Sequence, residues 1–84
     1  MAAAWDDFKV LLALSRGGSV AAAARELQVD NSTVSRRLAA LEDALGTQLL
    51  VRNGREFSWT ADGRTAVDAA QAMEEAVAGT VRSV

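Results

Sequence analysis

Apolar positions recur at helical spacing over most of this chain, and the longest regular stretch is NSTVSRRLAALEDALG, residues 31–46. Val34, Leu38, Leu41 and Leu45 fall at i, i+4, i+7 and i+11, which stacks them as the packing stripe of a helix about four turns long, with Gly46 as its stop. Just upstream, Val20, Ala23, Ala24 and Leu27 form the inward face of a shorter helix that Ser19 caps. Small alanines on that face let a neighbouring helix approach closely. A brief turn, Gln28-Val29-Asp30, joins the two. Before them, Trp5, Phe8, Leu11, Leu12 and Ser15 follow helical spacing with Asp6, Asp7 and Lys9 outward, ending at Arg16-Gly17-Gly18. Trp5 and Phe8 at this spacing read as core rather than as an aromatic binding surface.

The period changes after Gly46. Asn53-Gly54 is a strong two-residue hairpin signal that favours a type I′ turn, with Arg52 and Arg55 flanking it. That register sets Val51 opposite Glu56, Leu50 opposite Phe57 and Gln48 opposite Trp59, so that Leu50, Phe57 and Trp59 share one face and cover the helices. In the last segment, Thr60 reads as an N-cap with Asp62 in the first turn, and Gly63, which costs about 1 kcal/mol relative to alanine in a helix, permits close packing. Ala66, Ala70, Met73, Val77, Thr80 and Val84 then follow the alternating four-and-three spacing of a coiled-coil seam, with Val67, Ala69, Ala76 and Val81 beside it. Such a helix either folds back on its own domain or pairs with a second copy. It carries more apolar surface than one small domain can cover, which favours the homodimer.

Opposite the packing stripe of residues 31–46, the first two turns carry Asn31, Ser32, Thr33, Ser35, Arg36 and Arg37. Short hydrogen-bonding side chains followed by two forked cations can donate to phosphates and read base edges where a helix lies in a major groove. A capped helix start with a solvated basic edge is the alternative on this stretch alone. The short helix and tight turn before it favour the first reading, because together they make the helix-turn-helix plan, in which the second helix reads DNA. Arg52 and Arg55 at a hairpin tip beside that unit suit phosphate or minor-groove contact, although Arg52 can also pair with Glu42 or Glu56.

Gly18-Ser19-Val20, Ala23-Ala24, Leu27, Val29, Ser35-Arg36, Leu41-Glu42, Leu45-Gly46, Gln48-Leu49-Leu50, Arg52 and Thr60-Ala61-Asp62-Gly63, in this order and spacing, resemble the amino-terminal domain of bacterial LysR-type transcriptional regulators. The resemblance implies a mainly α fold, a winged helix-turn-helix of three helices plus a two-stranded β-hairpin wing over residues 1–59, followed by a long linker and dimerisation helix over residues 60–84. It further implies sequence-specific binding of double-stranded operator DNA by an antiparallel linker-helix dimer. Contact with RNA polymerase would come through the full-length protein. The implied DNA-binding residues are Ser19, Asn31, Ser32, Thr33, Ser35, Arg36, Arg37, Arg52 and Arg55; the implied dimer contacts are Ala66, Ala70, Met73, Val77, Val81 and Val84. In such proteins the start of the second helix rests on a phosphate through its backbone N–H groups, often with a hydroxyl two residues after the serine. Here that residue is Ala21. The linker helix of the family leads to an effector-binding domain, so this chain reads as an excised or a free-standing DNA-binding domain.

Composition narrows the remaining classes. The 84 residues, half of them hydrophobic, allow one small domain whose own core is marginal, so association would help it. With no cysteine and no histidine there are no disulfides, thiolate nucleophiles, imidazole bases or usual zinc ligands, and no constellation supports an enzyme or a cofactor site. No run is long enough to span a bilayer and Met1–Trp5 lacks the charged start of a signal peptide, so a cytoplasmic location is expected. The net charge of −2 is unusual for a DNA-binding domain and suggests, as the alternative, a winged helix used for protein interaction or dimerisation. Its distribution softens the point: residues 1–30 sum to −1, residues 31–64 to +1 and residues 65–84 to −2.

Overall fold

Five successive residues, Val10 to Leu14, are buried in the first helix, which a helix facing solvent on any side does not allow. The computed structural model describes residues 5–83, with side chains through Thr80, and explains this burial. Helix α1 (Trp5–Gly17) packs against α2 (Val20–Leu27), α3 (Asn31–Leu45) and α4 (Ala61–Ser83) at once. Its predicted stripe was therefore too narrow: Val10, Ala13 and Leu14 join Leu11 and Leu12 in the core, while Ser15 is exposed and Asp7 is half-buried. Trp5 and Phe8 are half-buried, and Phe8 packs on the core.

The expected punctuation of the helices is present. Ser19 is the N-cap of α2, its Oγ accepting from the Ala22 N–H at 3.1 Å. Ala23 and Ala24 are buried, with Val20 and Leu27 partly buried against the same core. α2 ends on Gln28 in the left-handed conformation (φ 57°), and Gly46 does the same for α3 (φ 70°). Val34, Leu38 and Leu41 are buried as predicted. Leu45 is not: it is 45% exposed, because α3 runs past the core before Gly46 turns the chain back.

The wing consists of β1 (Leu50–Asn53) and β2 (Glu56–Trp59), paired antiparallel. Its register corrects the sequence expectation. Leu50 lies opposite Trp59, Val51 opposite Ser58, Arg52 opposite Phe57 and Asn53 opposite Glu56, so the turn residues are Gly54 and Arg55. Gly54 alone of the two has positive φ, as in a type II′ turn. The slip moves each partner by two positions, an even number, and so leaves every side chain on its expected face. Leu50 is buried, while Phe57 and Trp59 meet edge to face with centroids 5.1 Å apart. A further bond from the Thr60 N–H to the Leu49 carbonyl, 3.0 Å long, continues the closure beyond Trp59.

Thr60 then starts α4, its Oγ1 accepting from the Gly63 N–H at 2.9 Å and donating to the Gln48 carbonyl at 2.7 Å. Gly63 is the most tightly packed of the glycines. A Cβ at that position would collide with the Leu49 carbonyl oxygen, so the backbone of α4 sits directly on the strand entry. Ala66, Val67 and Ala70 follow Gly63 into the core, and the packing is continuous across residue 60.

Candidate nucleic-acid interface

The start of α3 is where the two readings of the polar stretch separate. Asp30, not Asn31 or Ser32, occupies the N-cap position, and its side chain makes no capping bond; the Asp30 carbonyl accepts the Thr33 and Val34 N–H groups. Asn31 and Ser32 are exposed and, among the described residues, commit their side chains to no partner. Capping therefore consumes none of the donors and acceptors that the sequence places there. Ser32 and Arg36 lie opposite the buried Val34, Leu38 and Leu41, on a ridge continued by the small exposed Ala39 and Ala40. Small side chains along a ridge let its backbone approach another surface closely.

Asn31 and Ser35 turn to one flank of that ridge and face the wing across an open cleft of about 530 Å³. The cleft gathers Ser19, Asn31, Ser32, Ser35, Arg52 and Arg55 from three separate elements, with Val20, Ala21 and Phe57 in its wall. Sequence reasoning had no signal for these apolar lining residues, since they depend on how the wing sits. Thr33 and Arg37 are half-buried on the other flank and, like Arg36, lie outside the cleft. Ser19 presents the start of α2 to the cleft, and Ala21 beside it supplies no hydroxyl.

The two wing arginines differ. Arg52 donates through Nη2 to Ser35 Oγ at 2.7 Å, tying the strand to α3. The alternative pairing with Glu42 or Glu56 is not made among the described residues; Glu42 instead accepts the Leu49 N–H at 2.7 Å and so fixes the chain where it enters the wing. Arg55 stands in the turn, exposed, and among the described residues neither it nor Arg36 or Arg37 has a hydrogen-bond or ion-pair partner. Free forked cations on the ridge and at the turn, around a polar cleft, form a surface suited to a polyanion.

The expected dimer seam is divided by the same packing. Ala66 and Ala70 are covered by the protomer's own core, 8% and 0% exposed, and are not available to a second chain; the helix docks on α1 through them. Met73 and Val77 are 37% and 56% exposed. Val81 and Val84 lie outside the described side chains. Among the described residues, no helix is long and apolar enough to cross a membrane.

Residues 5–64 match the family model of the bacterial regulatory helix-turn-helix protein, lysR family. The Mau operon transcriptional activator of Paracoccus denitrificans is 49% identical over 45 residues, 54% of this chain and 16% of that protein. The iron-regulated virulence regulatory protein IrgB of Vibrio cholerae is 44% identical over 67 residues, 79% of this chain and 22% of that protein. The chain thus spans about a fifth of the length of the curated relatives it matches. Among solved structures, the CbnR DNA-binding domain in complex with DNA is 30% identical with a TM-score of 0.87, covering 95% of this chain and 92% of that one. Full-length LysG of Corynebacterium glutamicum is also 30% identical, with a TM-score of 0.89 over 96% of this chain and 28% of that one.

Proposed function

This chain belongs to the lysR family of bacterial regulatory helix-turn-helix proteins, and on that premise we propose that its helix-and-wing face binds duplex DNA with sequence specificity to regulate transcription. The observation that carries the reading is the uncommitted state of Asn31, Ser32 and Arg55, which line one cleft, and of Arg36 on the ridge beside it. A helix inserted in a major groove meets base edges with Asn31, Ser32 and Arg36, while Arg55 reaches the adjacent backbone or minor groove. Arg52 holds the wing at its distance from α3 through Ser35. Thr33 and Arg37 flank the helix on the side where a backbone would pass. The similarity to a domain solved on DNA supports the same docking. Met73 and Val77 join two copies through α4, which gives a net-acidic domain the second half-site it needs for tight binding.

Selection of bound fragments from random duplex DNA, followed by fluorescence anisotropy at several salt concentrations, tests this. Affinity should fall steeply with salt, with a slope set by the phosphates contacted, and Arg55→Ala should weaken all sequences alike while lowering that slope by roughly one unit. A selection without enrichment, or binding that salt leaves unchanged, overturns the reading in favour of a protein-interaction module.

A further inference from the structure

We infer that Arg16 is a positioning residue that sets the direction of α4 relative to the helix-turn-helix, and through it the spacing of the two DNA-reading helices in a dimer. It rests on the reading above that α4 joins two copies. Arg16 stands in the last turn of α1 and its guanidinium serves two other elements. Nε and Nη2 donate to the two carboxylate oxygens of Glu26 on α2, at 3.2 and 2.7 Å. The remaining Nη1 reaches both oxygens of Glu74 on α4, at 3.4 and 3.5 Å. One planar fork thus engages a carboxylate from the reading unit and one from the linker, which a lysine ammonium cannot reproduce.

The position of Glu74 gives the contact its leverage. Ala70 is the last residue of α4 buried against the domain among the described residues, and positions 71–78 are all exposed. Glu74 lies one turn beyond Ala70, on the side of the helix that docks on α1. Past Ala70 the helix extends about 20 Å to residue 83 at 1.5 Å per residue, so a tilt of about 10° at that point moves its end by roughly 3 Å, about the rise of one base pair. A second attachment one turn out restrains that tilt. Exposed pairs of this kind add little to stability, so the effect falls on the spread of angles rather than on unfolding.

The chain has no cysteine, which makes the test direct. A spin label on Ala40→Cys, an exposed position on α3, reports the α3-to-α3 distance in the DNA-free dimer by pulsed electron resonance. We expect one narrow distribution for the otherwise wild-type chain and a clearly broader one for Arg16→Ala, Arg16→Lys and Glu74→Gln. Glu74→Gln keeps the Arg16–Glu26 pair and guards against a general loosening of α2. In parallel, on unlabelled protein, the preference for the selected palindrome over the same duplex with one base pair inserted at its centre should fall at least threefold in all three variants. Affinity for a duplex carrying one half-site and the circular dichroism spectrum should not change. A narrow distribution and unchanged spacing preference in the variants would overturn the role of Arg16 alone. The absence of any inter-protomer distance in the wild-type background would overturn the dimer reading and this inference with it.

Discussion

Helices α3 and α4 divide their work in opposite directions. The N-terminal half of α3 presents Asn31, Ser32 and Arg36 to solvent, and its stripe of Val34, Leu38 and Leu41 is buried alongside them. In α4 the N-terminal half is the docked part, through Gly63, Ala66, Val67 and Ala70, and the exposed half follows, carrying Met73 and Val77. The difference lies in what each leaves uncovered. On α3 it is polar and cationic, a surface that gains from a polyanion and loses nothing by being hydrated alone. On α4 it includes two large apolar side chains, which gain from being removed from water. On the proposed function, the first surface meets nucleic acid and the second another copy of the chain.

The largest expected effect comes from spoiling the exposed half of α4. Met73→Asp with Val77→Asp puts unpaired charges where two apolar side chains would meet. The double variant should sediment as a folded monomer. Its affinity for a two-half-site duplex should drop by about 100-fold or more, the loss that accompanies separation of linked binding modules, while half-site affinity is retained. A variant that stays dimeric and binds normally would show that the joining surface lies elsewhere, for instance on the open groove of about 460 Å³ where Phe8 and Leu45 face Thr65 and Ala69.

Next in size is a contrast between the two glycines of α4. An alanine at Gly63 meets the Leu49 carbonyl oxygen and lies 3.1 Å from the Trp59 ring, and backbone cannot yield as a side-chain end can. Gly63→Ala should therefore cost about 3 kcal/mol in urea unfolding, as overpacking of a rigid contact does. At Gly79 a Cβ finds nothing within 4 Å, so Gly79→Ala should gain up to about 1 kcal/mol from helix propensity. Equal effects at the two positions would mean that α4 is docked, or free, along its whole length.

Much of this architecture is readable in the residues because the signals are local. Ser19, Gly46 and Thr60 mark helix ends through bonds within a few positions of themselves, and Gly63 declares a close approach by breaking helix propensity where a helix must run. The hairpin was legible as a hairpin, and its apolar face as a face. Its register was not, since the local preference of Asn53-Gly54 for the turn yields to the packing of Leu50 across from Trp59, which only the assembled core decides. The full burial of Val10, Ala13 and Leu14 depends likewise on three helices meeting α1. Within the site, the donors of Asn31, Ser32, Arg36 and Arg55 could be listed from the sequence, whereas the Arg52–Ser35 bond joins positions 17 apart and leaves no periodic trace. The same holds for Arg16, whose partners stand 10 and 58 positions away.

On α3, the contrast is sharpened by separating reading from packing. Arg36→Ala removes an exposed fork and should leave folding intact. It should cost about 1–3 kcal/mol of specific binding and relax discrimination at one base pair, measured by repeating the selection with the variant. A uniform loss across all sequences would instead assign Arg36 to a phosphate and leave base reading to Asn31 and Ser32.

The smallest effect concerns the framework that both helices hang from. The hydrogen bond and charge of Arg16 hold the Glu26 carboxylate below its ordinary pKa of 4.5, and Glu26 with Glu74 raises that of Arg16, which stays charged throughout. A carboxylate whose pKa is lower in the folded chain contributes stability above its unfolded value and loses that contribution as pH falls through the folded one. Both side chains are well exposed, at 51% and 37%, so the contribution stays within the ~0–1 kcal/mol of a surface pair. Wild type should therefore exceed Glu26→Gln slightly in urea unfolding at neutral pH, and the margin should close in acid, below 4.5. Because the Arg16–Glu74 contact is longer, 3.4 Å against 2.7 Å, and more exposed, the matching Glu74→Gln change should move stability less still. A margin that persisted in acid would show that the charge Arg16 meets on Glu26 is not what separates glutamate from glutamine at this position.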